Sequence, residues 1–268
     1  MTETANDTLP ANRATGPALR KIAIVDILGA IAAGMRDFRN APLYGFGIGA
    51  IYTIGGWVLI MLLLRFDLPF LVYPLAAGFA LIAPFVATGF YAVSQALERG
   101  ETLSWSAVWR AVRGALGRDL GWMALVTGFS LFIWMDIAAL LFFGFLGLKA
   151  YSAAELLREI FTTPMGLLFL LIGNAVGTAL ALAVFSFSVI SFPLLFDRDI
   201  DFITAMITSV KLVLASPKAM VFWCATIAAL IALSLLSGLV ALPVVLPILG
   251  HASWHLYRRA VVLPANSD

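Results

Sequence analysis

Hydrophobic and polar positions alternate between two textures along this chain. Long apolar runs are separated by shorter stretches in which polar residues return every three or four positions. From Asp197 to Pro217, the residues Asp201, Thr204, Thr208, Lys211 and Ala215 step along one side, and Phe202, Met206, Ser209, Val210 and Val213 along the other. That spacing predicts a helix lying flat on a membrane, with one face toward water and one toward lipid. Two earlier stretches read the same way. In Ala18 to Asn40, Ile24, Ile27, Leu28, Ile31, Met35 and Phe38 oppose Asp26, Ala33 and Asp37. In Thr102 to Gly117, Trp105, Val108, Trp109, Val112 and Leu116 oppose Ser106, Arg110 and Arg113, an aromatic and basic interfacial signature.

The apolar runs are long enough to cross a bilayer, which takes roughly 20 residues of helix. They cover Leu43 to Leu64, Leu68 to Leu97, Leu120 to Leu148 and Pro164 to Phe196. Lys218 to Tyr257 would make a helix of roughly 60 Å, twice what one crossing needs. A turn near Ser237 to Pro243 divides it into two spans. The expectation is an all-α polytopic membrane protein with six transmembrane helices in three hairpins and three in-plane amphipathic helices. One domain covers residues 18–262, between a polar tail over 1–17 and a short tail over 263–268. A five-span chain with one long broken helix is the competing reading. Fourteen of the seventeen basic residues fall on one side in the six-span arrangement, all but Arg65, Lys149 and Arg158. The positive-inside rule then places both termini in the cytoplasm of a bacterial inner membrane, whereas five spans would export Arg258 and Arg259.

Composition agrees with lipid as the main solvent. Hydrophobic residues make up 62% of the chain, charged residues 12%, and the mean hydropathy is +1.00. These values exclude a soluble globular class. The net charge of +2 gives no reason to expect nucleic acid. A single cysteine, Cys224, excludes an intrachain disulfide and a cysteine metal cage.

A weak threefold internal repeat is also visible. Arg36 to Pro42, Arg113 to Asp119 and Lys211 to Pro217 each place a basic residue six positions before a span begins. The even spans end alike, at Leu97-Glu98-Arg99, Phe196-Asp197-Arg198 and Leu256-Tyr257-Arg258. Three units follow, each an in-plane helix and a hairpin.

Few residues are candidates for chemistry. Asp136 is the one carboxylate deep in a predicted span, and Asn174 lies at a matching depth on the next one, so a hydrogen-bonded intramembrane pair is feasible. It would fix packing or, on a sharper reading, relay a proton or cation. His251 and His255 share a helix face beside Trp254, Tyr257, Arg258 and Arg259, which reads as an interfacial belt. Too few ligands follow for zinc, and no cofactor is expected. Trp105, Trp109, Arg110, Arg113 and Lys211 are candidates for contact with lipid headgroups or a partner. The sequence holds no P-loop, dinucleotide fingerprint, HExxH or Ser/His/Asp set, and the expectation is a protein that is not an enzyme.

The stretches MRDFRNAPLYG, SFPLLFDRDIDFITAMITSVKLVLASP and VVLPILGHASWHLYRR resemble an uncharacterised family of bacterial predicted integral membrane proteins, over about residues 25 to 262. Some of its members carry a provisional label as cytochrome c oxidase subunits. The resemblance implies a respiratory setting, although two histidines are too few for the haem and copper ligands of the catalytic subunit. The functional expectation is a non-catalytic accessory or assembly component, in contact with membrane lipid and another inner-membrane complex and able to form a homo-oligomer. The alternative is a small transporter or channel built on Asp136 and Asn174.

Overall fold

The computed structural model describes residues 17–66, 72–117, 119–149 and 151–262. The tails expected over 1–17 and 263–268 lie outside the described residues, apart from Pro17. Eleven helices occupy most of the described chain, and an isolated bridge between Leu19 and Val261 is the one β-type pairing among the described residues.

Helix α1 (Ile24–Asn40) starts at the first residue of the hydrophobic stripe, later than the stretch read from Ala18. Asp26 accepts from the backbone N–H of Ala23 at 2.9 Å and so caps the first turn. The residues before it run extended along the end of the chain. Arg20 N–H donates to Ala260 O at 2.8 Å, Val262 N–H to Ala18 O at 2.9 Å, and Ile22 N–H to Ser216 Oγ at 2.9 Å. Both ends of the described chain therefore meet at one rim of the bundle.

Helix α2 (Pro42–Arg65) follows α1 after the single residue Ala41. Proline suits this restart because a first-turn residue has no helical partner for its N–H anyway. Helix α3 (Val72–Glu98) returns toward the rim, and α4 (Trp105–Leu116) begins on Ser104, which accepts from Ala107 N–H. Helices α5 (Leu120–Leu146), α6 (Ala153–Thr162) and α7 (Pro164–Ser188) form a limb, in which Gly147 ends α5 at φ 75°. A break at Val189–Ile190 separates α7 from α8 (Ser191–Asp197), where an unbroken span was expected. Ser209 bridges that break, donating to Ser186 O at 2.8 Å and accepting from Ile190 N–H at 3.4 Å. Helices α9 (Phe202–Ala215), α10 (Pro217–Leu236) and α11 (Leu242–Ala260) complete the chain.

Among the described residues four segments are long and apolar enough to cross a membrane, where six were expected: Pro42–Arg65, Leu120–Leu146, Pro164–Asp197 and Pro217–Leu236. The faces of α9 differ from the expected ones. Thr208, assigned to water, is buried with Ala205, Ser209 and Leu212, while Ile203, Ile207 and Leu214 are exposed. Small side chains on the inner face let α9 lie close to α7 and α8, and its larger apolar residues are left facing outward.

The centre of the fold is α11. It packs along α1, α2 and α3, and most of its residues from Val245 onward are buried. Gly34 makes the α1 contact possible, since a Cβ there would sit 2.6 Å from Ala252 N and 2.8 Å from Ile248 O. At Gly250 a Cβ would collide with the ring of Phe90. Gly49 of α2 faces the backbone of Pro243, and Gly45 lies against the Phe38 ring with Pro247 beyond it, so the first GxxxG seats both α11 and the end of α1.

Candidate functional site

Where α1, α3, α8 and α11 meet at the rim, their polar residues are gathered into one network, buried at Asp37, Ser94 and His251 and opening outward through His255 and Arg258 to the exposed Glu98. Asp37 comes from the last turn of α1, Ser94, Gln95 and Glu98 from the last turn of α3, and Asp197 from the end of α8. His251, His255 and Arg258 form a stripe on α11, spaced four and three apart, which puts them on one helical face.

Asp37 Oδ2 is the hub. It accepts from Ser94 Oγ–H at 2.7 Å and lies 2.7 Å from His255 Nε2. Ser94 has one proton and gives it to Asp37, so His251 Nδ1, 2.8 Å from Ser94 Oγ, is the donor in that contact. Among the described residues His251 Nε2 has no hydrogen-bond partner, and the imidazole packs edge-on against the Phe90 ring at a centroid distance of 5.4 Å. Both nitrogens of His255 face carboxylates, Asp37 at 2.7 Å and Glu98 at 3.7 Å.

A second cluster continues from the first. Glu98 Oε2 lies 3.2 Å from Arg258 Nε, and Arg258 Nη1 lies 3.8 Å from Asp197 Oδ2. Asp197 also accepts from Gln95 at 2.9 Å and from Tyr257 O–H at 2.6 Å. Beneath lies an aromatic layer, with Trp254 against Tyr91, Phe196 and Tyr257. Asp37 and Asp197, the least exposed of these charges, are tolerable there because they are paired. Burial works against the Asp37 anion, yet the hydrogen bonds from His255 and Ser94 outweigh it and hold the carboxyl below its ordinary value of 3.8.

Serine, histidine and aspartate thus meet in space although no sequence motif joins them. Their order is not that of a nucleophile relay, in which histidine stands between the other two. Here the serine is the middle group, Ser94 is wholly buried, and its proton points to Asp37.

The residues singled out from sequence are distributed differently from expectation. His251 is fully buried, with Trp254 and Tyr257, in the core where an interfacial belt was anticipated. Arg258 leans over Trp254 at 5.9 Å while reaching its two carboxylates. Asp136 is exposed on α5, and Asn174 is exposed on α7 and donates to Leu170 O of its own helix at 2.7 Å. The anticipated hydrogen bond between them is not formed. Trp105 and Trp109 are exposed on α4, Arg113 lies 5.2 Å over the Trp109 ring, Arg110 is exposed nearby, and Lys211 is exposed on α9. Asp37, Ser94, Gln95 and Tyr257 were missed as site residues. The signal that pointed to them was the stripe His251, His255, Arg258, which asks for acceptors on whatever helix faces it.

Fold, spans and rim together define an integral membrane protein made of helices. A family model described as Predicted integral membrane protein (DUF2189), a family of unknown function, matches residues 72–197, from α3 to the end of α8. The match covers just under half of the chain and less than the 25 to 262 expected from the quoted stretches. It includes Ser94, Gln95, Glu98 and Asp197 but not α1 or α11. No curated protein and no solved structure matches the chain.

Proposed function

We propose that the protein is a non-catalytic, multi-pass component of a bacterial inner membrane, serving as an accessory or assembly element of a larger membrane complex. The observation that carries this reading is the rim network. Its acidic and basic groups are matched to one another inside the fold, which suits a rigid support better than a moving carrier or a site open to substrate. Against a relay stands the separation of Asp136 and Asn174, which are both exposed and do not bond to each other, Asn174 donating to Leu170 O of its own helix.

Six crossings fit this role, with α3 and α11 added to the four apolar spans. At 27 residues, α3 reaches about 40 Å. The meeting of Glu98, Asp197 and Arg258 supports three hairpins that return to one side, where the basic residues put the cytoplasm. The repeat is closest between the outer units. Ala41 and Ser216, each between an in-plane helix and a proline-led span, have φ/ψ of −133°/54° and −138°/52°. The middle unit lacks that break, because Asp119 before α5 is helical. Helix α4, with Trp105, Trp109, Arg110 and Arg113, would then seat the rim on anionic headgroups.

Native mass spectrometry of the tagged protein, expressed at its native level and extracted with its lipids, tests the proposal. The expected result is co-isolation in fixed ratio with a larger membrane complex, and the respiratory complexes are the first to look for. Isolation alone, together with ion or proton flux in proteoliposomes that is lost in Asp136→Asn, would replace it with the transport reading.

A further inference from the structure

The limb holds a feature that the rim leaves unused. Between α5, α6 and α7 lies an open cleft of about 1180 Å³. Trp134, Phe142 and Phe169 wall it, and Gly173 lines it with nothing within 4 Å of the place a Cβ would occupy. Its lining contains one charged side chain, Lys149, three residues past the end of α5. Among the described residues Lys149 forms no ion pair. The carboxylate of Glu155, close by in sequence, is engaged in capping α6, where it accepts from both the N–H and the hydroxyl of Ser152.

An apolar hollow of this size within a bilayer does not stay empty, since its walls would lose their dispersion contacts. Water would find side-chain partners there mainly at Lys149, Tyr151, Asn174 and Thr178, and the remaining walls are mostly carbon. Hydrocarbon chains surround the limb and fit such walls. A lone cation at the end of a span sits at the level of lipid phosphates, and its ammonium can reach the interface while its stem follows the apolar wall.

We propose that the α5–α6–α7 cleft is a binding site for one glycerophospholipid, with its acyl chains between Trp134, Phe142 and Phe169 and its phosphate on Lys149. The site does not depend on the accessory role.

The test uses the full-length protein in vesicles of phosphatidylethanolamine and phosphatidylglycerol, with a trace of phosphatidylglycerol bearing a diazirine in its acyl chain. After irradiation, adducts are mapped by mass spectrometry. They should concentrate on Phe142 and Phe169, at least tenfold above Phe129 and Phe132, which are exposed outside the cleft. Gly173→Phe should fill the cleft and remove that excess. Lys149→Gln, on an exposed side chain, should lower it about fivefold while leaving the melting temperature unchanged, as expected for one basic group near a membrane surface. Equal labelling inside and outside the cleft would overturn the proposal and leave only annular lipid. A photoreactive residue at Asn174 that captures a transmembrane segment of another protein, with no excess lipid adduct, would overturn it in favour of a protein partner.

Discussion

The rim and the α5–α7 limb both draw on apolar helices, yet they are held together in different ways. At the rim, α11 is enclosed by α1, α2, α3 and α8, and Trp254, Tyr257, Phe90 and Phe192 are almost wholly removed from solvent and lipid. In the limb, 6% of the most apolar stretch of α5 and none of that in Pro164–Asp197 is buried within the protein, against 28% for α2. The contrast has a physical cause. Lipid receives a leucine as readily as a neighbouring helix does, so apolar surface alone gives spans little reason to pack. Dense packing arises where charges must find partners and where small residues such as Gly34 let backbones approach.

That comparison can be broken most directly at its hub. Asp37→Ala leaves Ser94 and His255 without their common acceptor and should cost about 3–5 kcal/mol, read as a lower melting temperature in detergent. A loss as small as that of a surface change would mean that the rim is not the stabilising region. Gly34→Val should cost about 1–3 kcal/mol, because the clash is with backbone atoms that cannot rotate away. Ser94→Ala should cost about 1–3 kcal/mol by removing the hydroxyl that joins Asp37 to His251, and Asp37→Asn compared beside it would show whether the charge or the hydrogen bond matters more.

Acid should act on the rim before the limb. The carboxyl of Asp37 is held below 3.8 in the folded state, so its contribution is complete above that unfolded value and disappears as pH falls through the lower folded one. Melting measured from neutral pH down to about pH 3 should therefore fall more steeply in the wild type than in Asp37→Asn. At the small end, Asp136→Asn on the exposed face of α5 should shift stability by no more than about 0.5 kcal/mol. A larger shift would show that the limb has a polar contact of its own.

Much of the architecture was legible because local chemistry decides it. Pro42, Pro164 and Pro217 announce where helices restart, and the apolar runs set the lengths of α2, α5 and α10. The site was legible only in half. Spacing placed His251, His255 and Arg258 on one face, but aromatic and basic neighbours on a membrane helix ordinarily indicate the interface, and here they indicate a core. The expected faces of α9 failed for a related reason: Thr208 counts as polar in any hydropathy pattern, yet its small size and its hydrogen bond to Thr204 O make it suitable for a close helix contact.

The sequence by itself determined that this is a helical membrane protein and where its proline-led helices restart, while four of the six expected crossings are long and apolar enough to span. These properties follow from hydropathy and proline chemistry acting over a few residues. Only the tertiary structure decided that α11 lies at the centre and that Asp37, Ser94, Glu98 and Asp197 meet its histidines and Arg258. Asp37 and His255 are 218 residues apart, and nothing local selects that pairing. It is selected because a buried charge must be matched, and the packing of α1, α3 and α8 around α11 brings the matching groups within reach.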